Sequence, residues 1–472
     1  MSDLLEHGVK KAEALGSEFV QARFEDQFVR TITAENKAVR DVTSVRRTGI
    51  GIDAFYRGAI GYSYTVDLSK TAVSEAASRA FRIAKATSLA SREKLRLADT
   101  PDFNQKDMKL EVKKHPKDTS LELKKDLVMR TIESSQEHGK EIASISAAYH
   151  ELYGERCFVD SSGSESSWSP IVVDILVYVV SGRGSILGDG MDWFGGSFGL
   201  EGFETEGHTP ETLGENAGKW AAEKLEAKPA PAGKHRALCE NMLVGVLAHE
   251  SFGHWTEADF ITSGMSALKG KLGEQLGSEN ATIIDEGTPQ QDGKNGFWVP
   301  VDDQGVKTRK VVIMDRGKLL GYLHSRETAS AMNTDSTGNA RAVDYNFPPI
   351  VRMRNTYFAP GDLSLEEALE SLKDGIYAIR ASGGQASVEG TFTFTASRGY
   401  CVENGEMKYP LRGVTLSGSI LSFLSHIEGA TKELLIWSSY FGGCGKFEQF
   451  PLPVGIGGPH LLLSEVQFGG AE

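Results

Sequence analysis

Leu5, Val9 and Ala12 recur at helical spacing, which predicts an amphipathic helix over residues 3–15 with Gly16 as its C-cap. The apolar period then falls to two. Residues 19–24 and 29–33 alternate as two strands, followed by strands at 49–55 and 60–64 around a turn at Arg57-Gly58. Asp67 or Ser69 caps a helix running to about Ala86. Residues 91–118 are polar and charged and read as a connector. The order then recurs: a helix over 120–138, strands over 142–151 and 171–180, and a helix opened by Thr209-Pro210 and running to about Leu225. Helix, sheet and helix thus occur twice before Lys228-Pro229-Ala230-Pro231-Ala232-Gly233, which breaks the pattern and marks a domain boundary.

Beyond that boundary one short segment, residues 241–254, has a helical pattern and the rest is mainly strands and turns. Residues 391–395 alternate cleanly, and Asn404-Gly405 is a hairpin-turn signal between 400–402 and 407–409. Residues 363–373 form a short amphipathic helix. The patterns together predict an α+β protein with an N-terminal helix-flanked sheet domain over 1–228 and a β-rich C-terminal domain over 235–472. A length of 472 residues suits two or three domains, and 52 glycines suit strands and turns better than a helical bundle.

The net charge of −13 argues against a nucleic-acid partner, because phosphate affinity comes from clustered Lys and Arg. The basic run at 106–117 also carries Asp107 and Glu111 and reads as a solvated connector. Cys157, Cys239, Cys401 and Cys444 are isolated in sequence, so there is no CxxC pair and no disulfide framework. Reduced thiols, a charged segment over residues 1–19 and no apolar run long enough to span a bilayer give the expectation of a cytoplasmic protein without a membrane partner.

The sharpest chemical signal is the apolar stretch Leu243 to Ala248 running into His249-Glu250-Ser251-Phe252-Gly253-His254. Two imidazoles beside a carboxylate are the parts of a zinc peptidase, the imidazoles holding the ion and the carboxylate taking a proton from water that the metal activates. The histidines lie five residues apart, roughly 140° around a regular helix. A π-type turn, with its i→i+5 bonds, would return them to one face, and Gly253 eases such a distortion. A catalytic zinc needs a third protein ligand. Glu257, three residues after His254, and Cys444, in the glycine-rich run 441–446 read as a loop, are equal candidates on these grounds.

Other matches carry less. His150-Glu151 lies in a strand-like segment with no following histidine and is given no role. Gly195-Gly196-Ser197-Phe198-Gly199 fits a serine-hydrolase elbow but lacks the strand–turn–helix context. Ser266 and Lys269 fit SxxK without a KTG partner. Gly182, Gly184, Gly188 and Gly190 end in no GK[ST] and read as turns between strands.

With these residues in hand, the chain resembles the TldD half of the TldD/PmbA (TldD/TldE) peptidases. The likeness rests on His249 to His254 followed by Glu257-Ala258-Asp259, on Arg352-Met353-Arg354-Asn355-Thr356 within 349–362, and on Gly321 to Thr328. It extends to Gly443-Cys444-Gly445-Lys446, residues 453–457 and Gly469-Gly470, and covers nearly the whole chain. One departure is Gly443, where many members carry methionine. The resemblance implies His249, His254 and Cys444 as ligands of one zinc ion per catalytic subunit, favouring Cys444 over Glu257, with Glu250 as the base. It further implies a PmbA/TldE-like partner subunit that lacks the metal motif, and unfolded or leader-type peptides as substrates. The expected function is a zinc metallopeptidase. The alternatives are a zinc hydrolase of non-peptide amides and a non-catalytic peptide-binding subunit.

Overall fold

The computed structural model describes residues 1–91, 94–387 and 389–469. Arg92 and Glu93 of the expected connector, and Gly470 of the terminal glycine pair, lie outside the described residues. Helix α1 (Ser2–Ala14) buries Leu5, Val9 and Ala12 as its spacing predicts. Residues 19–33, expected as two strands, are one, β1 (Phe19–Glu35). It pairs along its length with β2 (Ala38–Tyr56), and β3 (Ala59–Thr65) follows through a turn with Arg57 and Gly58 at positive φ. Helix α2 (Lys70–Ala90) starts at Ser69, whose hydroxyl accepts from the Ala72 N–H. Helix α3 (Leu121–His138), capped by Ser120, leads into β4 (Ile142–Asp160), β5 (Ile171–Arg183) and β6 (Ile186–Gly196). Helix α4 (Pro210–Glu226), capped by Thr209, ends this half.

The two helix–sheet–helix passes share one sheet. Its order is β3-β2-β1-β4, with β5 and then β6 beyond β4. β1 therefore has a partner on each side, β2 and β4, over most of its length, and this pairing carries it through the polar middle where alternation fails. The expected connector adds a short strand, Gln105–Met108, against Glu165–Trp168. Gly188 and Gly190, expected in turns, lie in β6 beneath α4. A Cβ on Gly190 would sit 2.1 Å from the Ala217 carbonyl oxygen, so helix and sheet approach too closely for any side chain there.

In the second half, β7 (Gly233–Cys239) leads to α5 (Asn241–Val246). After β8 (Asn355–Phe358), helix α6 (Leu365–Leu372) is closed at its start by a Ser364–Glu367 capping box. β9 (Gly375–Ala386), β10 (Thr391–Glu403), β11 (Glu406–Arg412) and β12 (Thr415–Ser419) follow. The chain ends with β13 (Leu435–Lys446), β14 (Gln449–Gly458) and β15 (Leu461–Gly469). Asn404 and Gly405 make the expected β10–β11 hairpin turn at positive φ. The order β9-β7-β15-β12-β10 closes on itself, because β9 also pairs β10. Lys228-Pro229, expected to separate the halves, pairs with β11 and so joins this second sheet. A third sheet runs Lys318–Leu319, Val311–Asp315, Ile283–Asp285, β8, β14 and β13. Among the described residues no helix is long and apolar enough to cross a membrane.

Two contacts place the functional region. β13 lies against the N-terminal sheet: Trp437 is 6.4 Å from Trp193 between ring centroids, and Arg380 of β9 pairs with Asp192 of β6 at 2.8 Å. The third sheet also receives α5, whose Gly245 faces β14 so closely that a Cβ would lie 2.4 Å from the Gly457 nitrogen. Gly245→Ala is therefore expected to lower stability by about 1–3 kcal/mol, because the obstacle is backbone and cannot rotate away. Urea midpoints of the two proteins check this; equal midpoints would show that the helix moves off the strand freely.

Candidate metal centre

α5 does not continue as an α-helix. Leu247–Gly253 is a π-helical turn, and His254–Thr256 tightens to a 3₁₀ turn. The i→i+5 bonding brings the two imidazoles to one face, with ring centroids 5.1 Å apart and planes at 81°. Gly253 sits where the distorted turn meets Met353: a Cβ there would be 2.1 Å from the Met353 sulfur. The apolar residues before the histidines, Leu243, Val244, Leu247 and Ala248, are buried in the C-terminal core and anchor the turn.

Cys444 arrives from the other end of the chain. Its Sγ lies 3.4 Å from His254 Nε2. One donor atom each from His249, His254 and Cys444 fall within 4.8 Å of one another. Residues 441–446, read as a loop, belong to β13, but the β13–β14 register breaks between Ser439 and Cys444 and again before Lys446. Such an irregularity re-aims a side chain that regular pairing would have turned elsewhere. The Gly443 departure has a local cause, since a Cβ there would stand 2.5 Å from the Leu452 carbonyl oxygen.

The Arg352-Met353-Arg354 segment supports this strand. Arg352 Nη2 donates to the Cys444 carbonyl at 2.6 Å and Nη1 to that of Gln449 at 3.3 Å. Arg354, fully buried, pairs with Asp285 at 2.8 Å and ties the segment to the third sheet. Sequence reasoning did not assign these roles. The signal was present, because two arginines interleaved with apolar residues in a strand-like run are charges that burial must pair.

The donor set fits a divalent first-row ion that takes nitrogen and sulfur. Both ring nitrogens of His249 are buried without a hydrogen-bond partner among the described residues, a cost that coordination would remove. Burial pushes the Cys444 thiol up, but the charges of His249 and His254 outweigh it and hold the group well below its ordinary range. Burial likewise lowers His254, yet Glu257 and Cys444 raise it well above its usual value. Glu257 is not among the converging donors. Its Oε2 accepts from Nδ1 of His254 at 2.9 Å, on the side of the ring away from Cys444.

Glu250 is the exposed member of the group. Its side chain is 44% exposed and its Oε2 stands 4.0 Å from His254 Nε2, the nitrogen that faces Cys444. It opens onto a groove of about 510 Å³ walled by Leu176, Met191 and Trp193 from the N-terminal sheet and by Val246 and Phe394. Residues 381–384 also line it.

The remaining motifs are structural. His150 Nδ1 pairs across the sheet with Asp174 at 2.7 Å, and Glu151 neutralises buried Lys124 at 2.7 Å. Ser197 accepts from the Trp298 N–H, and Ser266 donates to the Trp255 carbonyl.

Residues 232–470 match the PmbA/TldA metallopeptidase C-terminal domain, and residues 20–84 match domain 1 of the same family. The chain is 35% identical over 429 residues to a metalloprotease of Methanocaldococcus jannaschii, covering 91% of this chain and 92% of that one. Over 255 residues it is 36% identical to a zinc metalloprotease TldD homologue of Saccharolobus solfataricus, covering 54% and 56% of the two chains. The solved structure of TldE from Thermococcus kodakarensis is similar with a TM-score of 0.76 over the full length of both chains; at 17% identity this likeness bears on the fold alone, which is α+β in both.

Proposed function

This chain belongs to the PmbA/TldA metallopeptidase family and is a metallopeptidase, and from that premise we propose that it is a TldD-type catalytic subunit hydrolysing unfolded or leader-type peptides. In this reading one zinc ion per subunit is held by His249, His254 and Cys444, and Glu250 is the base. The observation that carries it is the meeting of three donor atoms within 4.8 Å beside a carboxylate that faces a groove. When bound, zinc supplies Lewis acidity, polarising the scissile carbonyl and making a water molecule easier to deprotonate.

The chain's residues do the rest. Glu250 accepts the proton of the attacking water and passes it to the leaving amine nitrogen as the C–N bond breaks. Leu176, Met191, Trp193 and Phe394 wall the groove and limit water around the reacting bond. Among the described residues β7 pairs with β9 at Ile376, Tyr377 and Ala378 and not at 381–384, which line the groove and leave one edge to an added strand. Backbone pairing of that kind reads an extended peptide and not its sequence, and it excludes folded proteins. The partner is a PmbA/TldE-like subunit, by analogy with the family, and the setting is the cytoplasm. The chain divides into two domains near the expected bounds of 1–228 and 235–472, with Lys228-Pro229 paired into the second, and residues of both wall the groove.

Digestion of a casein-like unfolded chain and of a stable folded domain tests the substrate class, run with and without the partner subunit. Cleavage confined to the unfolded chain and stimulated by the partner is expected. Equal rates on both substrates, or full activity of the lone subunit, overturn the corresponding part. Metal analysis of the same preparation should give about one zinc per chain.

A further inference from the structure

His254 and Cys444 stand 190 residues apart, one on a helical turn and the other on a strand. Something must hold these two segments in register before any ion arrives, or the ion itself would have to order them. Two buried side chains outside the donor set span the gap. Glu257 is fully buried, and the Lys446 side chain is 2% exposed.

Their contacts form one connected group. Glu257 Oε2 receives the Nδ1–H of His254 at 2.9 Å and lies 3.0 Å from Lys446 Nζ. Lys446 also donates to both carboxylate oxygens of Asp259, at 2.7 and 2.8 Å, and to the Val351 carbonyl at 2.9 Å. Its ammonium stands 4.2 Å from the centre of the Phe260 ring. Glu257, Asp259 and Phe260 follow His254 directly, whereas Lys446 lies two residues beyond Cys444. One lysine thus fastens the cysteine strand to the segment that carries the second histidine. The carboxylate between them has a second effect: by accepting at Nδ1 it leaves Nε2 as the lone-pair nitrogen of the neutral His254 ring, and Nε2 is the atom facing Cys444.

We propose that Glu257 and Lys446 are a positioning pair for the metal centre, Glu257 fixing the tautomer and orientation of His254 and Lys446 clasping the Cys444 strand to that carboxylate. The inference rests on His249, His254 and Cys444 being the ligands. Neither residue touches the ion or the substrate. Isolated charges buried this deeply would be costly, and among the described residues each is neutralised through the other and through His254 and Asp259.

The test is metal binding, read without turnover. Apo protein is titrated with cobalt(II), following the thiolate-to-cobalt absorption band, and zinc affinity is measured by competition with a chromophoric chelator. Glu257→Gln keeps the side-chain volume, and Lys446→Met keeps most of it. Each is expected to weaken zinc binding by about 10–100-fold and to alter the cobalt spectrum without abolishing the thiolate band. Because the two act through one contact, the double variant should lose much less than the product of the single losses. Zinc affinity within twofold of the parent and an unchanged spectrum in Glu257→Gln overturn the proposal, as do losses that simply multiply. If Lys446→Met fails to fold, Glu257→Gln decides alone. A parent protein with no thiolate band would instead sink the ligand assignment, and this inference with it.

Discussion

Glu250→Gln is expected to retain zinc at the parental level and to lose turnover by about 10²–10⁴-fold, the range that a positioned general base contributes. The substitution is isosteric and removes only the ability to accept a proton. Glu250 is the exposed member of the site, with a side chain 44% open to solvent, so exchanging it disturbs no core packing. It does not belong to the three converging donors, which leaves the ion's ligands untouched. Metal analysis beside kcat on an unfolded polypeptide checks both halves. Parental turnover with zinc present would remove Glu250 as the base.

Cys444→Ala is expected to lower zinc affinity by more than the ~100-fold upper range for an outer residue, and to remove the thiolate-to-cobalt band completely. The thiol is the only sulfur in the cluster and lies 3.4 Å from His254 Nε2. Without it, two imidazoles would have to hold the ion alone, below the three protein ligands of a catalytic zinc site. The same loss should appear as stability. Zinc that binds only the folded state raises the melting temperature in proportion to RT ln(1 + [Zn]/Kd), and Cys444→Ala should lose that increment. The contrast with Glu257 separates the two candidates for third ligand. Glu257→Gln weakens binding but keeps the sulfur band, because Glu257 acts through His254. Tight zinc binding by Cys444→Ala, together with its loss in Glu257→Ala, would reverse the assignment.

Several elements are set by residues close together in the chain. The spacing of Leu5, Val9 and Ala12 sets α1, and the hydroxyls of Ser69, Ser120 and Thr209 start the helices they cap. Asn404-Gly405 supplies the positive φ angles its hairpin needs. The five-residue interval between His249 and His254 implies a π-type turn or a break if both rings are to face one ion, because helix pitch is a property of the backbone, and the fold has the π-turn. These features depend on residues within a turn or two of one another.

Tertiary structure decided what depends on distant partners. β1 is one strand because β2 and β4 pair with it on both sides, and Gly190 belongs to a strand because α4 lies against it. The choice between Glu257 and Cys444 was open to the residues alone and leaned on family likeness; in the fold, Glu257 is turned to Nδ1 of His254 and a register break brings Cys444 toward Nε2. Lys446 and Arg352 are given no partners by the chain alone; the fold buries both and pairs them with carbonyls and carboxylates from other segments. The sequence by itself therefore determined the long N-terminal helices, the Asn404-Gly405 turn and the histidine pair, all short-range matters of backbone geometry and apolar period. The approach of Cys444 to His254, the groove facing Glu250 and the buried pairing around the site were decided only when sheets from both halves packed together, because burial and pairing belong to contacts that close over hundreds of residues.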